Sequence, residues 1–519
     1  MPKKIVVAID LGTSRSAYAY SIQGRAEEDV IIRIPAGSLP SVSAVKTDTA
    51  VLLRADVPHD VIAFGRNAHE RFTASPCATS GAPSMLFRWF KIGLCQRRGY
   101  RSVDEPVATA EGGQKLPLID VMTASLRHIK EDAIAHLSSV SEMAQTVEDF
   151  TWVVTIPAIY DDFAKRFMRV AAHKAGITST INSQSLQMCL EPEAACLAVT
   201  SKNKPNVTEA GTKIMILDCG GGTVDITTHE VLSNNPLRLK ELLPPMGGAW
   251  GSTCVDEAFL KWCEGFLGKK HFAQVRRTTA FITLLMQWEE GKTTFGGGED
   301  ERVRLNMANI SRELRATHND GPSLAPDLHV TGSKFIVVLP SQLVASLFAP
   351  TIKNIGVCLR NLKRHESLGG LRHVFLVGGF SSSPLIQAVA STELAGGGCE
   401  VVPTERPGVA IVKGAVLFAN NAETFSTRKA RLSYGMRVKS VYKPQDPEHV
   451  RRRPEVPFIG RDGNEMLSTF SCHVRFGEDI SADGACKKRT YKPMSEMQSI
   501  VTLEMLASHR KDVRFPDED

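Results

Sequence analysis

"LDCGGGTVDI", residues 217–226, sets three consecutive glycines between two aspartates, directly after a run of aliphatic residues. Ile214, Met215, Ile216 and Leu217 form a short apolar run of the kind found in buried strands. Beyond the glycines, Val224, Ile226 and Thr228 alternate with Asp225 and Thr227, so the chain is expected to leave as a second strand. The familiar Gly-rich nucleotide loops open a helix instead, and neither Gly-Lys-Ser/Thr nor Gly-x-Gly-x-x-Gly is matched here. The pattern predicts a hairpin with a tip made almost wholly of glycine. Glycine permits φ > 0 and leaves backbone N–H groups free to converge on an anion. Two carboxylates beside a phosphate would repel it unless a cation intervened. Mg²⁺, which keeps several waters and bridges carboxylate to phosphate, removes that conflict. The alternative is a tight turn carrying two solvated aspartates.

The N-terminus repeats the grammar. IVVAIDLGTSRSAYAY, residues 5–20, gives an aliphatic run, Asp10, Gly12, the hydroxylated Thr13 and Ser14, then alternation through Tyr18 and Tyr20. Asp10 and Asp218 stand about one domain's length apart, which predicts an internal duplication: two lobes, each offering a phosphate hairpin, closing on one nucleotide. A third apolar run ends in glycines at HVFLVGGFSSSPLIQAVA, residues 373–390. Its exit is expected to be helical, with Ser383 capping and Pro384 in the first turn. Gly378 and Gly379 would let a base or ribose approach the backbone.

Composition narrows the class. The chain has 519 residues, enough for several domains, and 62 Lys+Arg against 56 Asp+Glu give a net charge of +6. That balance is too mild for a nucleic-acid footprint. The N-terminal apolar run meets Asp10 too soon for a signal peptide, and no stretch reads as a membrane span. The 11 cysteines are scattered, without metal-ligand spacing or a disulfide framework. These features predict a soluble, cytoplasmic protein, with the nucleus open to it, and a monomer.

An Asp-x-Gly-Thr hairpin, an Asp-x-Gly-Gly-Gly-Thr-x-Asp hairpin and a later Val-Gly-Gly turn, in that order, resemble the actin-like ATPase superfamily. Within it, the chain looks like the seventy-kilodalton heat-shock chaperones. WVVTIPAIYDDFAKRFMRVAAHKAGI (152–177) and LEPEAACLAV (190–199) are similar to that family's connecting strand and helix and its Glu-Pro-x-x-Ala element. GGAWGSTCVDEAF (247–259), Phe380 and PGVAIVKGAVLFA (407–419) resemble the divergent heat shock 70 kDa protein 12 subfamily. The resemblance covers roughly residues 3 to 435.

It implies an α/β, two-lobed, actin-like (ribonuclease H-like) ATPase fold holding ATP or ADP with Mg²⁺. Asp10, Glu191, Asp218 and Asp225 would surround the metal and the attacking water; Asp10, Asp218 and Asp225 would hold the metal mostly through water. Gly12, Thr13, Ser14 and Gly220, Gly221, Gly222 and Thr223 would bind phosphates, with Arg15 adding positive charge. Gly247, Gly248, Gly378, Gly379 and Ser382 would border the nucleotide, and Glu289 and Lys292 in LMQWEEGKTTFG would meet the ribose. Two departures stand out. The family's lysine near the γ-phosphate aligns with His69 in VIAFGRNAHERF, where a neutral imidazole is a poor substitute; the plainer reading is a surface histidine on a helix. The family's two adenine-flanking arginines align with Thr293 and Ser382.

Lobe I is expected over residues 1–205, lobe II over 206–420 and a short β-rich segment over 421–519. Residues 296–326 read as a polar insertion or mobile surface segment. The residues around 341–365 read as a long amphipathic helix kinked at Pro350. The C-terminal segment is too short for a full peptide-gripping sandwich and lid. Its basic runs, Arg451–Arg453 and Lys487–Arg489, read as solvated loops. The functional expectation is an ATP-binding, chaperone-like switch that hydrolyses ATP slowly, if at all, and works with an unidentified protein partner or client. The alternative is a pseudo-ATPase interaction scaffold.

Overall fold

In a computed structural model of the chain, the first hairpin forms at Ile5–Leu11 and Arg15–Ile22, with Asp10 opposite Ala17. The residues described are 5–22, 30–35, 45–57, 60–74, 84–95, 102–140, 150–200, 205–317, 330–331, 335–394, 396, 398–460, 462–481, 489–491 and 502–518. Ile5–Leu11 is buried throughout because Phe150–Ile156 runs parallel along its other edge and helices cover the sheet, so an unbroken apolar run suits it. The sheet order is Leu186–Leu190, Phe150–Ile156, Ile5–Leu11, Arg15–Ile22, Ile31–Arg33, with Thr47–Asp48 pairing on Arg15–Ile22. Helix Leu118–Val140 packs Val121, Met122 and Ile129 into this core. Helix Asp162–Lys174 is capped by Asp161, whose carboxylate accepts from the Ala164 N–H at 2.8 Å.

The second hairpin, Lys213–Cys219 and Val224–Asn234, heads a sheet built the same way. Its order is Glu400–Pro403, Leu371–Val377, Lys213–Cys219, Val224–Asn234, with the first three strands parallel. Two sheets of one design, each with a hairpin at the same place, bear out the duplication and the two-lobed α/β fold. Helices Glu191–Thr200 and Pro407–Asn420 cross between them, almost wholly buried. The crossing is close: a Cβ on Gly414 would sit 1.6 Å from the Ala194 carbonyl oxygen. Both lobes lie in one compact unit, residues 1–227 with 246–422.

Three local expectations change. Residues 302–306 form a strand and 308–317 a helix, so the first part of the proposed insertion is ordered structure; residues 318–326 lie outside those described. The long helix expected around 341–365 forms at Ser341–Lys363, with Pro350 inside it. It is long and apolar enough by length and composition to cross a membrane, contrary to the sequence reading, but it packs Val344, Leu347, Phe348, Ile355 and Leu359 inward. Ser383 does not cap the helix at Pro384–Leu394, since its hydroxyl is buried without a hydrogen-bond partner.

A second unit joins residues 228–245 to 423–519. In it Leu237–Gly248 pairs parallel with Phe425–Lys429, on which Asp479–Ser481 lies antiparallel. An antiparallel sheet follows, in the order Phe458–Ile459, Glu465–Val474, Ser433–Val441, Met505–Ser508. The basic run there is exposed at Arg451 and Arg453, as expected, and is also internally paired. Arg451 meets Glu448 at 2.8 Å, Arg452 meets Asp517 at 2.9 Å and Arg453 meets Glu465 at 2.7 Å. Of the other basic run, Lys487 lies outside the described residues, and Arg489 donates to the Cys472 carbonyl.

Candidate nucleotide site

The two hairpin tips touch. A Cβ on Gly221 would lie 2.2 Å from Ser14 Oγ, and one on Gly222 would lie 2.3 Å from Thr13 Oγ1. This corrects the reason given for the glycines, because none of Gly220, Gly221 and Gly222 has a positive φ. They are small so that the lobes can meet. Their carbonyls are occupied from behind: the N–H groups of Gly251, Ser252 and Thr253, opening helix Ser252–Leu267, donate to Gly222, Gly220 and Gly221 at 3.2, 3.2 and 2.8 Å. Gly378 does need the left-handed region, at φ 80°, and a Cβ there would strike Asp218 Oδ1 at 2.3 Å. Gly247 backs onto the Val224 carbonyl and Gly248 lies against the Trp250 ring, so both pack on the hairpin or its neighbour.

Four carboxylates gather behind the tips. Asp10 accepts from Lys46 Nζ at 2.5 Å and from Thr155 Oγ1 at 3.2 Å. Asp225 accepts from the Ile159 N–H at 2.8 Å. Asp218 Oδ1 and Asp225 Oδ2 are buried with no hydrogen-bond partner. Glu191, opening its buried helix, accepts from Lys91 Nζ at 2.7 Å.

Burial, then repulsion from Glu191, Asp225 and Asp10, holds the Asp218 pKa well above the carboxylate range. Burial also raises Asp225. Glu191 is pushed up to about 7 by burial and the neighbouring aspartates, against the pull of Lys91. Burial opposes the Lys91 charge, but Glu191 more than offsets it and the Lys91 pKa rises.

The orphaned oxygens fit a hard divalent cation: acceptors only, buried, anionic when ionised, and accompanied, among the described residues, by the ammonium groups of Lys46 and Lys91. Among the described residues no three His, Cys, Asp or Glu side chains converge to hold an ion directly. Such a cation would therefore be held partly through water, which Mg²⁺ favours.

Lys91 escaped the sequence reading. It sits in the short 3₁₀ turn Phe90–Leu94, entered through Trp89 at φ 52° and ψ 15°, a left-handed conformation unusual for a bulky residue. The available signal was FRWFKIGL, a lysine among apolar and aromatic residues, which burial would require to find an acid. His69 is buried on helix Arg66–Ala74, its pKa pushed down to about 3 by burial and then by Arg88, and it is neutral. The reading of it as a surface histidine fails.

A cleft of about 430 Å³ runs from the first hairpin, lined by Ser14, Arg15, Lys46, His69, Asp256, Glu289 and Lys292 among others. Lys292 is buried there, 2.8 Å from Asp256 and 2.5 Å from Glu289. Asp256, also absent from the sequence reading, accepts from the Trp288 indole at 2.9 Å. Arg15, exposed, meets Glu289 at 3.4 Å. Thr293 is exposed and its hydroxyl bonds back to Glu289 and Glu290 carbonyls; Gly379 and Ser382 are exposed as well.

Comparison with known proteins agrees with this geometry. The model of the Hsp70 protein family matches residues 101–421, ending beside the start of the second unit's tail at 423. Heat shock 70 kDa protein 12A of Mus musculus is 28% identical, covering 98% of this chain and 82% of that protein. Heat shock 70 kDa protein 12B of Homo sapiens is 27% identical over 98% of this chain and 81% of its own length. Chaperone protein DnaK of Deinococcus radiodurans is 26% identical, over 74% of this chain and 54% of its own.

Proposed function

The chain belongs to the Hsp70 protein family, and from that premise we propose that it binds Mg-ATP between its two hairpins and hydrolyses it slowly as a conformational switch. One observation supports this most: the hairpin tips, donated by separate lobes, abut over four carboxylates and two lysines. Asp10, Asp218 and Asp225 would hold the cation, which when bound neutralises phosphate charge and orients the triphosphate. Thr13 and Ser14 would donate hydroxyls to phosphate, and the backbone of Gly220–Thr223 its N–H groups, their carbonyls being engaged elsewhere. Glu191, with a pKa near neutrality, is suited to accept a proton at a carboxylate oxygen. Lys91 keeps it ionisable. Lys292, fixed by Asp256, and Glu289 would meet the ribose. Little covalent work is asked of the protein; positioning and charge supply the rate.

A second reading, a scaffold that keeps nucleotide without turning it over, draws on Thr293 and Ser382, which leave the adenine without flanking arginines. Single-turnover hydrolysis of labelled ATP separates the two. The switch requires a rate that Glu191→Gln or Lys91→Met abolishes; a rate the same in all three proteins leaves the scaffold.

A further inference from the structure

Lys46 has no role in the reading of the sequence. Its backbone leads into Thr47–Asp48, which pairs with Ser16 and Arg15 of the first hairpin. Thr49 ties the same segment down, its N–H donating to the Ser14 carbonyl at 2.8 Å and its hydroxyl meeting Ser16 Oγ at 2.6 Å. The ammonium is thus delivered by a braced strand, not by a free arm. It lies 2.5 Å from Asp10 Oδ2, with its side chain 11% exposed and that of Asp10 2%. Its charge is also felt at Asp218, in the other lobe. Lys46 therefore pairs with the aspartate of the first hairpin while it lines the cleft.

From this placement we infer that Lys46 is a tethered counter-ion: it pairs with Asp10, competes with a divalent cation for that carboxylate, and transfers to the phosphates when nucleotide enters. The inference rests on the proposed Mg-nucleotide site. Three parts of the geometry carry it. An ammonium 2.5 Å from a carboxylate oxygen takes one of its lone pairs and repels a divalent cation from it until the ammonium leaves. Asp218 Oδ1 and Asp225 Oδ2, which lack partners, are not neutralised in this way, whereas Glu191 has its own ammonium in Lys91. The ammonium lines the cleft in which a triphosphate would lie, and a triphosphate offers it more negative charge than a single carboxylate. Lys91 has no such freedom, being sealed against Glu191.

The test uses the full chain and Mn²⁺ alone as the probe, read by isothermal titration and by the fraction of free Mn²⁺ in its paramagnetic resonance signal. Lys46→Met is expected to bind Mn²⁺ on the order of tenfold tighter than wild type. Lys46→Arg, which keeps the charge, is expected to stay as weak as wild type and guards against a folding artefact in the first variant. Equal or weaker Mn²⁺ binding in Lys46→Met overturns the inference. A second arm titrates ATP in the presence of EDTA. Wild type and Lys46→Arg should retain binding that Lys46→Met loses, and binding unchanged in Lys46→Met contradicts transfer to phosphate. If no variant binds ATP with or without Mg²⁺, the nucleotide site itself is refuted, a result separable from the Mn²⁺ comparison.

Discussion

Asp10 and Asp218 end equivalent strands in the two lobes, each followed by a glycine-bearing turn, yet they live in different electrical surroundings. Asp10 has both oxygens engaged, by Lys46 and by Thr155. Asp218 leaves Oδ1 buried and unmatched, and its pKa is raised by burial and three neighbouring carboxylates. The turns differ too. Gly12 is small because a Cβ would meet the carbonyl of Arg15 in its own hairpin, at 2.4 Å, whereas Gly221 and Gly222 are small to admit Ser14 and Thr13 of the other. Duplication kept the backbone plan and divided the labour. The first lobe brings cations and hydroxyls, and the second brings unneutralised acid and a turn shaped to receive them.

The largest effect should come from the cations of the first lobe. Lys91→Ala leaves Glu191 buried without its partner, so urea unfolding should report a loss of about 3–5 kcal/mol. A loss below about 1 kcal/mol would mean that the pair does not form. Next come the glycines of the second turn. Gly221→Ala puts a Cβ into Ser14 and should cost about 1–3 kcal/mol while separating the tips. Gly220→Ala, whose Cβ would meet only the Thr223 carbonyl at 3.3 Å, should cost clearly less. Equal costs would mean that the lobes do not meet there.

Protonation sharpens the contrast further. Glu191 keeps its proton in the folded chain up to about pH 7, whereas unfolded it loses it near the ordinary 4.5. Its contribution to stability therefore falls as pH rises between those values and is flat above them. His69 acts with the opposite sign. Folded it binds a proton only near pH 3, unfolded near 6.5, so its contribution is lost as pH drops through that window. Each slope is bounded at about 1.4 kcal/mol per pH unit for one proton. Unfolding followed across pH in Glu191→Gln and His69→Asn should remove the two slopes separately, and a pH profile unchanged in either variant would refute that assignment. The smallest effect is expected from Thr293→Arg, which offers a guanidinium to the adenine face. It should tighten Mg-ATP by a few-fold, in line with about 0.5–1 kcal/mol for an exposed cation–π contact. No change would remove Thr293 from the adenine pocket.

Much of this was legible in the chain. Both hairpins follow from an aliphatic run ending in Asp and Gly, a local signal, and the matching sheets follow from its repetition. Lys91 was not legible in the same way, because its acid lies 100 positions away and it is reached through an unusual turn at Trp89. Reading the glycines as φ > 0 residues mistook a demand made by the other lobe for one made by their own backbone. The pairing of Arg451–Arg453 with Glu448, Glu465 and Asp517 was hidden for a similar reason, since two of those acids come from distant parts of the tail. The second unit takes a strand from residues 228–245, and no composition shift there announces it.

The central claim is that one Mg-nucleotide is gripped by aspartates from both lobes at once. Isothermal titration of Mg-ATP into wild type, Asp10→Asn, Asp218→Asn and the double variant tests it directly. The account predicts that each single change weakens binding on the order of tenfold or more, and that the double variant shows no measurable heat. Undiminished binding in the double variant would contradict it.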